Sequence, residues 1–161
     1  MDQSVPIIYT PPIDRQVVTR GGRLLALGVA AAALTPLIIA ATLAPDRSGM
    51  GTHLAMGFHR CEFLATTGLP CPSCGMTTSF AWFVRGNWLA SLYVQPMGFL
   101  IALACGGLFW TALYIALTAS PLHRLTRQLP GVLVIIGLLS LGIVAWGWKI
   151  FIHLSGIDGW R

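Results

Sequence analysis

Charge is what this sequence has least of. Only 9% of its 161 residues are Asp, Glu, Lys or Arg, and 55% are hydrophobic. A soluble domain of ordinary composition carries about 25% charged residues. So little charge cannot coat a water-facing surface, so lipid must cover it. Acidic side chains are the scarcest: there are five, with Glu62 the single glutamate and Asp14, Asp46 and Asp158 dispersed. No paired carboxylates stand ready for acid–base catalysis. A Ser/His/Asp grouping and a phosphate-binding glycine loop are also missing, so the composition leans away from an enzyme. The ten basic residues give a net charge of +5, but they are scattered singly. No basic stripe with interleaved aromatics exists, which argues against nucleic acid as a partner. The length suits one compact unit.

Long hydrophobic runs, by contrast, are present. Residues 1–22 form a polar tail that Pro6, Pro11 and Pro12 keep from regular helix. Residues 23–161 read as the membrane domain. Within it, 24–44, 96–119 and 131–149 are each long enough to cross a hydrocarbon core of about 30 Å at roughly 1.5 Å per residue. Pro36 falls inside the first, where a kink is tolerated. Ile150–Leu154 can continue the third helix past Lys149. Trp146, Trp148 and Trp160 fit an interfacial belt. Gly106 and Gly107, with Gly137, Ser140 and Gly142, offer small surfaces for close helix approach. The fold class is therefore all-α: a polytopic membrane protein with three spans.

Between the first two spans lies a cysteine-bearing element, 61–95. Phe63–Val84 is uncharged and long enough to cross, but Gly68, Pro70, Pro72 and Gly75 interrupt it. Each interior proline costs a helix about 3 kcal/mol. This predicts two short pieces joined by a turn, interfacial or re-entrant, followed by an interfacial helix from Asn87 to Val94. Orientation follows from arginine density. A cytoplasmic N-terminus places Arg15, Arg20, Arg23, Arg124 and Arg127 inside, and Arg47, Arg60, Arg85, Lys149 and Arg161 on longer outside segments. The expected setting is a bacterial inner membrane, crossed several times. The expected partners are the lipid bilayer and a membrane protein or a second copy of the chain.

Cys71-Pro72-Ser73-Cys74-Gly75 is the sharpest local signal. Proline stiffens the start of the turn and biases Cys71 to an extended conformation. Glycine permits a left-handed exit. Both thiols then point to one side. Three readings are open. In the first, Cys61, Cys71, Cys74 and His59 hold a metal, zinc being possible, although His59 and Cys61 are tightly spaced. In the second, Cys71 and Cys74 are the catalytic pair of a membrane thiol-disulfide oxidoreductase, with one thiol acidified by the following helix. In the third, the turn is structural and the cysteines pack as small hydrophobes or form a static disulfide. Cys105 reads as a packing residue of the second span. His123 and His153 read as interfacial, and Asp14, Asp46 and Asp158 as water-facing.

The stretch from Cys61 to Pro96 resembles a small bacterial membrane family, domain of unknown function 2752. The resemblance rests on Cys61, on Thr67-Gly68-Leu69-Pro70-Cys71-Pro72-Ser73-Cys74-Gly75-Met76-Thr77, on Gly86-Asn87-Trp88-Leu89-Ala90 and on Gln95-Pro96. Thr78 stands where the family usually has arginine, and Gln95 where it usually has asparagine. The resemblance implies a membrane protein with a cysteine-rich turn and brings no activity with it.

Overall fold

The computed structural model describes residues 18–119 and 131–160. Most of the polar tail, and the segment carrying His123, Arg124 and Arg127, lie outside the described residues. All regular structure among the described residues is helical. The elements are α1 (Arg20–Thr42), a 3₁₀ turn (Thr52–Met56), α2 (Glu62–Thr67), α3 (Met76–Val84), α4 (Trp88–Val94), α5 (Pro96–Thr118) and α6 (Gly131–Leu154).

Three of these helices are long and apolar enough to cross a membrane: α1, α5 and α6 from Val132 onward, each 23 residues, or about 35 Å at the rise of an α-helix. Thr19 caps α1 by accepting from the Gly22 amide at 3.3 Å. Pro96 opens α5 at its first turn, where a missing amide donor costs nothing. Leu133, Ile143 and Val144 of α6 are exposed, as lipid-facing side chains are. The chain is a multi-pass membrane protein.

The expected role of glycine in helix packing is corrected here. α1 and α5 meet through alanines: Ala26, Ala30, Ala33 and Ala40 of one, Ala102, Ala112 and Ala116 of the other, all buried. These recur on one helical face, and small side chains let the backbones approach. Gly106, Gly107, Gly137 and Gly142 instead face open space. Gly98 is different, because a Cβ there would stand 2.9 Å from Ser79.

The segment from Phe63 to Val84 is broken, as its prolines require. Gly68 ends α2 with φ 71°, and Gly75 precedes α3 with φ 85°. α3 inserts against α1 and α5. Its Ser79 is fully buried, and its hydroxyl lies 2.9 Å from the Ser91 hydroxyl and 3.1 Å from the Gln95 carbonyl. Ser91 donates in turn to the Ser79 carbonyl at 2.8 Å. A buried polar group is tolerated when it is hydrogen-bonded in this way. Asn87 caps α4 through the Ala90 amide. Arg85 reaches the carbonyls of Ala81, Ala40 and Ala41 at 2.8, 3.4 and 3.4 Å, satisfying part of the open C-terminal end of α1. The short helices therefore gather where α1 ends, α5 begins and α6 ends.

Candidate metal centre

Cys61 is the N-cap residue of α2, and its carbonyl accepts from the Ala65 amide. The chain then makes one and a half helical turns, stops at Gly68, and Pro70 and Pro72 carry it into a tight turn. The Cys74 amide donates to the Cys71 carbonyl at 3.0 Å, and the Met76 amide to the Ser73 carbonyl at 3.1 Å. This folding returns the turn to the start of α2. The sulfurs of Cys61, Cys71 and Cys74 all lie within 4.8 Å of one another. Cys71 Sγ is 3.2 Å from Cys74 Sγ and 3.3 Å from the Ser73 hydroxyl. All three are free thiols. Sulfurs bound to one zinc ion at about 2.3 Å stand roughly 3.8 Å apart at tetrahedral angles, so the cluster needs only small side-chain shifts to close on an ion.

His59 does not join that group, but it lines the cavity in front of it. The cavity holds about 760 Å³ between the turn, the 3₁₀ segment and the second half of α1, and Cys61, Cys71 and Cys74 form part of its wall. Cys105 sits apart in α5, as the sequence led us to expect.

Two side chains bond the turn from behind and two more brace the segments around it, and sequence reasoning gave none of them this task. Gln95, fully buried, donates its amide to the Pro72 carbonyl at 2.7 Å. Trp146 of α6 donates its indole N–H to the Pro70 carbonyl at 2.9 Å. Thr78, the residue after Thr77 of the motif, shares a 2.8 Å hydrogen bond with Thr52 of the 3₁₀ turn. Lys149 is the largest surprise. It reads as a residue at the edge of a span, yet its side chain is fully buried, 3.3 Å from Asp158. Asp158, expected at a water-facing edge, also meets His153 at 2.5 Å. The signal for this pairing in the sequence is the rarity of both signs of charge. A lysine and an aspartate near one helix end in so apolar a chain have few partners but each other.

The thiols are unequal. Burial pushes the Cys71 thiol up, but hydrogen bonds with Ser73, Cys74 and Cys61 outweigh it and leave it below the usual cysteine range. Burial, followed by the neighbouring Cys71 and Cys61 thiols, pushes Cys74 up to about 12. Cys74 is buried, while Cys71 is partly open. In reduced, metal-free protein, iodoacetamide should therefore modify Cys71 at least about tenfold faster than Cys74, because the thiolate is the nucleophile. Mass spectrometry of timed samples checks this, and equal rates would contradict it.

A membrane helix bundle bearing a three-cysteine cluster beside an apolar cavity is the class of molecule these features define. The model of a family described as "Protein of unknown function (DUF2752)" matches residues 61–109, from Cys61 into α5. The match agrees with the resemblance carried by the cysteine motif. No curated protein and no solved structure matches the chain.

Proposed function

We propose that this protein binds a thiophilic metal ion through Cys61, Cys71 and Cys74, and acts as a membrane-bound binding or assembly component. The observation that carries this reading is the convergence of three sulfurs from two chain segments within 4.8 Å. A packing role needs no such convergence, and a simple disulfide needs two cysteines. Thiolates select soft or borderline ions, zinc among them. Three protein donors leave a further position facing the cavity, where His59 stands as a fourth donor if the segment before α2 moves toward the sulfurs. The cysteine turn faces the side opposite the cytoplasm in the orientation that the arginines favour.

The test is metal analysis of the full chain purified in detergent under reducing conditions. About one thiophilic ion per chain is expected at saturation of a single three-thiolate site. Cys71→Ser should lose it, and Cys105→Ser should retain it.

A second reading is thiol-disulfide exchange by Cys71 and Cys74. It is favoured by the 3.2 Å sulfur separation and by the pairing of a partly open thiol with a buried one. Absence of bound metal, together with a readily reduced Cys71–Cys74 bond, would move the balance to this second reading.

A further inference from the structure

The wall of the cavity is unusual in what it offers a metal ion. Besides the three cysteines it is lined by Met50, Met56 and Met76 and by His53 and His59, residue types that carry thioether and imidazole donors. Three of the five methionines in the chain therefore line one cavity. No carboxylate lines it, and the rest of its wall is mostly apolar, with Pro36, Ile39 and Phe80 beside the hydroxyl-bearing Ser73, Thr77 and Thr78. Chain position does not explain this gathering. Met50 precedes the 3₁₀ turn and Met56 ends it, whereas Met76 begins α3. Core packing accounts for part of the placement of Met76, which lies against Ala40, Phe80 and Ala102, but not for Met56, which is 37% exposed.

Donor chemistry sorts the ions. Magnesium, calcium and manganese take oxygen ligands, which the wall does not supply as carboxylates. A hydrated divalent ion also loses much hydration energy on entering an apolar cavity. Cu(I) is monovalent and soft, and both thiolate and thioether donors select it. Three thiolates offer it a complete soft donor set, and neutral thioethers can hold it on the way without adding charge.

Resting on the metal-binding reading above, we infer that the ion this protein takes is Cu(I), and that Met50, Met56 and Met76 form a loading path through the cavity to Cys61, Cys71 and Cys74. Each thiol that becomes a ligand releases its proton to solvent. No electron is transferred, because the ion arrives already reduced.

The experiment uses the full chain in detergent, kept reduced and anaerobic. Cu(I) is supplied from a chromophoric bicinchoninate complex, and Zn(II) in a parallel titration. One Cu(I) per chain is expected, withdrawn from the chelator and not displaced by excess Zn(II). A Met50→Leu/Met56→Leu/Met76→Leu variant should still bind one Cu(I), but load it at least tenfold more slowly. Met56→Leu alone, at an exposed position that leucine fills without strain, should slow loading measurably and guards against misfolding of the triple variant. Retention of Zn(II) with no preference for Cu(I) would overturn this inference and leave the three-cysteine metal site standing. Cu(I) binding at the wild-type rate in both methionine variants would overturn the loading path. Binding of neither ion would overturn the metal-binding reading itself.

Discussion

Lys149→Met is expected to destabilise the folded protein by about 3–5 kcal/mol, the cost of removing one partner of a buried ion pair. The Lys149 side chain has no exposed surface, and Asp158 is only 15% exposed. Deleting the ammonium leaves a carboxylate among apolar groups with His153 as its remaining side-chain partner. The loss also spreads along the chain. The Lys149 Cε lies 3.5 Å from where a side chain on Gly75 would begin, so the lysine stem packs behind the cysteine turn. The carbonyl of Asp158 lies against Gly49, and Gly159 against the carbonyl of Arg47. The Tyr93 hydroxyl donates to the Ile157 carbonyl at 2.7 Å. The ion pair therefore ties the end of α6 to the loop after α1, and that loop covers the turn. Lys149→Met/Asp158→Asn removes both charges together, and most of the lost stability should return, because replacing a buried pair is far milder than breaking it. Urea unfolding in detergent, followed by tryptophan fluorescence, gives the three midpoints. A single variant as stable as wild type would show that the pair does not hold this end of the bundle.

The same pair shows where sequence reasoning stops. The spans were legible because a run of uncharged residues longer than the hydrocarbon core has few alternatives. The break between α2 and α3 was legible because Pro70 and Pro72 lack amide donors and Gly75 can take a positive φ. The approach of Cys71 to Cys74 followed from that local stiffness, whereas Cys61 was expected beside them only under the metal reading, and the structure brings it there. The side chains behind the turn were not legible. Gln95 reaches it from the junction of α4 and α5, and Trp146 and Lys149 from α6, with hydrogen-bond partners 23 and 76 residues apart in sequence for Gln95 and Trp146, and no local pattern encodes such distances. The glycines of α5 and α6 misled for a related reason. Small residues permit close helix approach but do not say which face is approached, and here the alanines of α1 and α5 took that face. His59 was a candidate ligand despite its tight spacing from Cys61; it lines the same cavity but lies outside the group of three sulfurs.

Gly75→Ala should abolish the cluster geometry, and Gly68→Ala should not. Both glycines have positive φ, 85° and 71°, so an alanine at either pays the left-handed penalty of about 1–2 kcal/mol. Space separates them. A Cβ at Gly68 meets nothing within 4 Å. A Cβ at Gly75 would stand 2.6 Å from the Gly49 carbonyl oxygen and 3.3 Å from Val94. The nearest obstacle is backbone, which cannot rotate away as a side chain can. Relief requires either the Asp46–Gly49 turn or the cysteine turn to move. The first is pinned by the Thr52 hydroxyl on the Asp46 amide at 2.8 Å, and the second by Gln95 and Trp146. We therefore expect Gly75→Ala to exceed Gly68→Ala by at least about 2 kcal/mol, since alanine at an incompatible backbone position costs more than the entropy it saves. Bound metal should fall below half of the wild-type content in Gly75→Ala and stay near one ion per chain in Gly68→Ala. Comparing the two variants cancels the conformational penalty they share and leaves the contact between the two turns. Equal unfolding midpoints and equal metal content would show that the loop after α1 yields freely, and that the cysteine turn keeps its shape without it.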